Sequence, residues 1–182
     1  NVKAKAVRDA IEKCLANRND FRVEVIQEAI ETLSQDPVPP LLLMRTVILA
    51  QQAHPELKRV ALRTVLPRLL ERKVWDTAPK AWEGFIVCIK LLATHREATP
   101  LLRELLRIPF ETLRNLVKVA NTIEEPISKL VASMSDRELE EALTTSTSGE
   151  DSAEVVEEPA AIQEKKTKIR KLFSSSSKAR SK

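Results

Sequence analysis

Apolar residues recur every three or four positions along most of the chain, which is the spacing of amphipathic helices. The first two such segments run from about Ala6 to Leu15 and from Asp20 to Leu33, with Asp20 as the expected N-cap of the second. Their inner faces are predicted to carry Ala6, Val7, Ala10, Ile11, Cys14 and Leu15 in the first, and Phe21, Val25, Ile26, Ala29, Ile30 and Leu33 in the second. The chain therefore opens with a predicted pair of helices.

The segment Asp36–Ala53, DPVPPLLLMRTVILAQQA, is apolar nearly all round a helical wheel, and we expect the other helices to pack around it. Asp36 is the expected cap. The prolines that follow it suit the first turn of a helix, where a backbone N–H is not needed. The helix is predicted to end before Pro55, because the residue before a proline avoids the α region.

Arg45 is the exception in this apolar run, since a buried guanidinium needs a carboxylate or carbonyl partner. Two interpretations follow from the residues. In the first, which we favour, Arg45 forms a structural ion pair inside the body, with Glu83 as the candidate partner. In the second, Arg45 lies at the rim of a groove and binds an acidic group of another protein.

A tryptophan segment follows and is expected to pack near the apolar helix. A helix is predicted from Glu56 to Lys73, with an interruption at Pro67, and Trp75 is placed in the link to the next helix. The buried stripe of that next helix is predicted to consist of Trp82, Phe85, Ile86 and Ile89. Gly84 inside it costs about 1 kcal/mol relative to alanine, which indicates the close approach of a neighbouring backbone or ring.

Shorter helices are predicted around Ala98–Arg107, from Pro109 onward, and around Pro126. A capping box of Ser135 and Glu138 is expected to open a last short helix that ends near Leu143. We find no alternation typical of β-strands, so the predicted fold class is all-α.

These helices pair off in the ranges 3–34, 37–73, 79–107 and 109–134. Pairs of similar length joined by short links are typical of stacked helical hairpins, either HEAT-like or a more irregular helical repeat. Because the internal sequence similarity is weak, a single irregular helical bundle remains an alternative. Stacked hairpins expose ridges and grooves that usually hold other proteins.

The composition changes at Thr144, where we place the boundary between a helical domain, 1–143, and a disordered tail, 144–182. The tail is acidic and polar at first, then basic, and ends in a serine run. A basic cluster in it resembles a nuclear-import signal: Lys165, Lys166, Lys168, Arg170 and Lys171. The alternative is a merely solvating charge run, within a short amphipathic turn or two.

The composition favours a reduced, intracellular protein without a catalytic site. Cys14 and Cys88 form no disulfide framework, and only a long-range coincidence would bring them together with His54 and His95 as zinc ligands. There is no glycine-rich phosphate loop, so we expect no cofactor.

The apolar runs are too short to span a bilayer. The net charge of +4 is too small for a broad nucleic-acid-binding surface. Since the chain begins at Asn1 rather than methionine, we expect it to be part of a longer protein.

Two long motifs in fixed order carry a family resemblance. PVPPLLLMRTVILA and the later KVWDTAPKAWEGFIVCIK resemble the PLPLLLMRTV-like and KQVWKYPKVWEGF-like segments of the symplekin family, yeast counterpart included, in its C-terminal domain. AVRDAIEKCLANRNDF and IEEPISKLVAS resemble flanking segments, so that the likeness spans about residues 6–134. The chain departs from the family pattern at Pro67, at 76–78 and at 94–99.

The resemblance implies a non-enzymatic, nuclear scaffold of the pre-mRNA 3′-end cleavage and polyadenylation machinery. The implied partners are the cleavage endonuclease of the cleavage and polyadenylation specificity factor and its inactive homologue. RNA contact is expected to be at most indirect or through the tail, although a nucleic-acid-binding module that uses the basic tail is the alternative. The candidate partner-binding residues are Arg45, Lys73, Trp75, Lys80 and Glu83.

Overall fold

The fold is all-α, as predicted, with the character of a helical repeat. The computed structural model describes residues 4–17, 20–144 and 159–178, and none of these lies in a β-strand. The chain forms two compact units, Asn1–Leu101 and Leu102–Lys182, so the division falls within the helix that crosses residues 101 and 102.

The first unit consists of helices of very unequal length. They are α1 Ala4–Ala16, α2 Val23–Leu33, α3 Leu43–Ala53, α4 Leu57–Val60, α5 Leu66–Glu71, α6 Val74–Thr77 and α7 Pro79–Leu92. A π-helical turn, Ala61–Val65, joins α4 to α5 immediately before Pro67. This turn confirms the predicted interruption, because proline lacks the N–H that would continue the regular hydrogen bonding of the helix.

The core of the first unit is built around α3, which packs against α1, α2, α4 and α7. Its buried residues include Leu43, Met44 and Val47, and those of α7 include Phe85 and Ile89. The prediction that other helices pack around this apolar helix is therefore confirmed. Two members of the predicted stripe on α7, Trp82 and Ile86, are only half-buried rather than buried.

The start of α3 was predicted too early. The helix begins at Leu43, and Asp36 does not cap it. The proline-rich residues before it form a non-helical lead instead, since prolines in succession cannot supply the N–H groups of a helical turn. Arg72 holds this lead by donating hydrogen bonds to the backbone carbonyls of Gln35, at 2.9 Å, and Asp36.

The start of α2 was also predicted too early. The N-cap position is occupied by Arg22, while the carboxylate of Asp20 accepts a hydrogen bond from Asn17 Nδ2 at 2.6 Å. As a result Phe21 lies outside the helix, and both Phe21 and Val25 are exposed rather than on the inner face. The buried contacts of α2 come from Ile26 and Ile30, which the apolar spacing predicted.

The second unit contains most of α8 Thr99–Leu105, together with α9 Phe110–Val119, α10 Glu124–Ser133, α11 Asp136–Leu143 and α12 Pro159–Lys178. A 3₁₀ turn, Asn121–Ile123, precedes α10. The capping box predicted at α11 is confirmed, since Ser135 Oγ accepts a hydrogen bond from the backbone N–H of Glu138 and the Glu138 carboxylate accepts one from that of Ser135.

Helix α12 corrects the prediction of a disordered tail for residues 159–178. It packs against α9, α10 and α11, with the side chains of Ile162, Ile169 and Phe173 buried. These residues follow one another at seven and four positions, which places them on one side of a helix. Few apolar residues of α12 suffice because α9, α10 and α11 together supply the other side of the contact. Residues 145–158 and 179–182 of the predicted tail lie outside the described residues.

Candidate protein-docking face

The contact between α3 and α7 depends on the absence of a side chain at Gly84. A Cβ atom placed there would lie within 2.9 Å of Met44 Cγ and closer still to Met44 Cβ, which is inside van der Waals contact. Gly84 therefore allows the two helices to approach each other, as its position in an apolar stripe indicated. The neighbour is the methionine of α3 rather than a tryptophan ring.

Gly84 also marks an exposed stripe along α7. Lys80, Val87 and Leu91 lie four residues before it and three and seven residues after it, and therefore on the same side of the helix. All three are exposed, with 47% of Val87 and 51% of Leu91 open to solvent. Large apolar side chains thus remain uncovered beside the contact with α3.

The α3 segment also carries exposed residues. Leu41 lies in the turn before the helix and is 73% exposed, and Arg45 follows directly after the buried Met44. The half-buried Ile48 stands four residues after Met44, which puts it on the Met44 side of the helix. Because α3 and α7 pack together, we use the name α3–α7 face for the exposed residues of the two segments taken together: Leu41, Arg45, Lys80, Glu83, Val87 and Leu91.

The predicted buried pair of Arg45 and Glu83 is wrong. Both residues are exposed, and within the described residues Arg45 has no ion pair. Glu83 instead accepts from Lys80 Nζ, with N–O distances of 3.2 and 3.3 Å. The cause is that the neighbours of α3 leave one strip of it uncovered, and Arg45 lies in that strip.

A hollow of about 450 Å³ lies beside α3 on the side of α1. Its lining is mixed, with the carboxylate of Glu12, the amide of Gln52 and several small or apolar side chains. The lining residues are Glu12, Leu15, Ala16, Leu49, Gln52 and Ala53.

The two remaining candidate residues lie at the junction of α5 and α6. Lys73 is exposed and has a φ of 51°, so it occupies the left-handed region, in which its N–H donates to the carbonyl of Leu70. Trp75 is half-buried and stands edge-on to Trp82, with ring centroids 6.2 Å apart, and Trp82 stacks on Phe85 at 4.8 Å. The described residues offer no hydrogen-bond partner to Trp75 Nε1. Trp75 thus anchors α6 to the core.

The buried thiol of Cys88 in the first unit is poorly suited to act as a nucleophile. Burial raises the pKa of the Cys88 thiol to about 12, although the hydrogen bond from Gln51 lowers it in part. Cys88 therefore stays protonated, and a thiol rather than a thiolate is a poor nucleophile. Both cysteines are free.

Within the described ranges no group of His, Cys, Asp and Glu is arranged as metal ligands. No described helix is long and apolar enough to cross a membrane.

The basic cluster lies on α12, and most of its side chains contact the other helices of the second unit. Lys165 and Lys166 are largely buried, and Arg170 donates a 2.6 Å hydrogen bond to Asp136. Lys168 pairs with Glu164 at 2.7 Å and stands 5.8 Å from the ring centroid of Phe110. The fifth residue, Lys171, is exposed.

The chain matches the family described as Symplekin tight junction protein C terminal over residues 1–120. It belongs to the symplekin C-terminal family. The match extends from α1 to the end of α9 and includes the whole α3–α7 face. No solved structure matches the chain. Membership of the symplekin C-terminal family indicates a scaffold role in mRNA 3′-end processing, exerted through contacts with other proteins.

Sequence reasoning missed Val87 and Leu91. The predicted buried stripe of α7, with Phe85 and Ile89, does not include them. The signal was nevertheless present, because both follow Lys80 and Gly84 at helical spacing.

Proposed function

We propose that this chain is a docking domain of the pre-mRNA 3′-end cleavage and polyadenylation machinery. Its partners in this proposal are the cleavage endonuclease and that enzyme's inactive homologue, and its place of action is the nucleus. The family match supports the scaffold role, and the observation that carries the docking function is the exposed apolar stripe of the α3–α7 face. Isolated exposed leucines are ordinary, but a group of them beside charged side chains is typical of protein interfaces.

The charges of the α3–α7 face fit an interface rim. Arg45 is exposed and has no ion pair among the described residues, which leaves its guanidinium available to a carboxylate of the partner. The exposed pair of Lys80 and Glu83 contributes at most about 1 kcal/mol, so its members can exchange partners at little cost. Apolar contacts at the centre with arginine at the edge supply both affinity and orientation.

A nucleic-acid-binding module is the weaker candidate. Its basic cluster would have to be open to phosphates, whereas Lys165, Lys166 and Arg170 contact the second unit. Phosphate binding also implies a steep fall of affinity with salt.

The test is a titration of the purified chain against the endonuclease–homologue pair and, separately, against single-stranded RNA. We expect saturable binding to the protein pair that changes little between low and moderate salt. Binding to RNA that exceeds binding to the proteins and falls steeply with salt would contradict the proposal. As a localisation arm, a fluorescent fusion of the chain is expected to be enriched in nuclei, and a uniform distribution would contradict the nuclear part.

A further inference from the structure

Helices α9, α10 and α11 of the second unit form a surface on which α12 packs. The contact resembles that of a helical peptide ligand with its receptor. The apolar centre of the surface takes up Ile162, Ile169 and Phe173, of which Ile169 is fully buried. The carbonyl of Phe173 also accepts a hydrogen bond from Ser128 Oγ at 3.4 Å. The contact is therefore a helix laid on a helical surface, with anchors two turns and one turn apart.

The polar rim of this surface is built for cations. Lys165 Nζ donates to the backbone carbonyl of Arg107 at 2.9 Å, close to the C-terminal end of α8, where the helix dipole is negative. Arg170 donates to the carbonyl of Met134 at 3.3 Å and to Asp136. Lys166 lies 3.8 Å from carboxylates on both Asp136 and Glu140. Basic residues of the ligand thus meet carbonyls and acids of the receptor.

We propose that the α9–α11 surface is a docking groove for a basic amphipathic helix, and that α12 is its tethered, exchangeable occupant. In sequence a polar, acidic stretch of fourteen residues, 145–158, separates α12 from the helices that receive it, and α10, α11 and α12 all lie beyond the residues that match the family. The apolar anchors of α12 are few, and its most exposed ion pair with those helices, that of Arg170 and Asp136, is open to screening by salt. The groove belongs to the second unit, so this inference is independent of the proposed function.

One consequence concerns the basic cluster. Three of its members, Lys165, Lys166 and Arg170, are engaged by the groove when α12 is docked. A partner that reads the whole cluster, as an import receptor does, has access to it only after α12 leaves. A second basic amphipathic helix that takes the groove would release α12 and make the cluster available.

The experiment uses the full chain with a specific protease sequence inserted between Gly149 and Glu150. After cleavage of the folded protein, size-exclusion chromatography shows whether the fragment that carries α12 stays bound. We expect co-elution at low ionic strength and dissociation at high ionic strength. Elution as two separate species at low ionic strength would overturn the proposal.

Exchange is tested by adding a labelled synthetic peptide of residues 159–178 to the cleaved complex. We expect the peptide to displace the fragment. Displacement should need at least about tenfold more of a peptide with Ile169→Asp than of one with Thr167→Asp, because Ile169 is buried and Thr167 is exposed. Equal competition by the two peptides, or no displacement by the parent peptide, would show that the groove does not accept this helix in exchange.

Discussion

The α3–α7 face of the first unit and the α9–α11 groove of the second differ in whether their apolar surface is covered. In the groove, Ile162, Ile169 and Phe173 of α12 are buried against the helices that receive them. On the α3–α7 face, Val87 and Leu91 have no such cover and remain about half exposed. On the proposed function, the chain supplies a ligand for one surface and leaves the other for a partner protein.

The largest expected effect is on the covered surface. Replacement of the fully buried Ile169 by alanine should lower the free energy of opening of α12 by about 2–5 kcal/mol, because it removes the central anchor of that helix. Thr167→Ala is the matched control on the exposed side and should change it by less than about 0.5 kcal/mol. Hydrogen exchange of α12 amides gives the readout. Equal protection of both variants would mean that α12 is not held by its apolar side.

The contact beneath the open face is tested by Gly84→Ala. The added Cβ meets Met44, so we expect a net destabilisation of about 1–3 kcal/mol, even though alanine favours helix by about 1 kcal/mol. Denaturant unfolding measures the change. The double variant with Met44→Gly should lose less than the sum of the two single variants. A stabilising Gly84→Ala would contradict the close approach of α3 and α7.

Removal of the helix cap beside the groove should have a smaller effect. Ser135→Ala takes away the side-chain acceptor at the start of α11, which we expect to cost about 1 kcal/mol. Because α11 carries Asp136 and Glu140, the same change should weaken retention of the cleaved α12 fragment. Ser133→Ala is the control, since Ser133 bonds only within α10.

The same cap has a pH signature. Hydrogen bonds from Ser135, chiefly from its backbone N–H, lower the pKa of the Glu138 carboxyl below its ordinary value. A carboxyl with a lowered folded pKa stabilises the fold above its unfolded pKa, and this contribution is lost as the pH falls through the folded value. The difference in stability between the parent and Glu138→Gln should therefore shrink in acid. A difference that stays constant across that range would contradict the cap.

The helices themselves were predictable from the sequence, because apolar spacing decides which segments bury a face. The starts of α2 at Val23 and of α3 at Leu43 were not predictable in this way. Asp20 and Asp36 resemble N-caps, but an acidic residue before an apolar run is also common in turns. Helix α12 escaped because only a few of its residues are apolar and the surface that orders it comes from distant parts of the chain. The position of Arg45 depends on how many neighbours cover α3, which no local pattern encodes.

The smallest expected effect on stability concerns Arg45. Because Arg45 is exposed and without an ion pair among the described residues, Arg45→Ala should change the free energy of unfolding by less than about 0.5 kcal/mol. On the proposed function the same variant should weaken binding to the protein partner, since an arginine paired at an interface can contribute about 2–5 kcal/mol. Thermal melting and titration on one preparation separate the two effects. A large loss of stability would restore the structural interpretation.

The central claim is that the open apolar stripe of α7 is where the partner binds. Its most direct test compares the affinities of Val87→Asp and Val25→Asp for the endonuclease–homologue pair. The two valines are matched, with 47% and 50% of their surface exposed, and both belong to the first unit. We predict that Val87→Asp weakens binding by about a hundredfold while Val25→Asp leaves it within about threefold of the parent, with both variants folded. Equal affinities, or a loss confined to Val25→Asp, would contradict the claim.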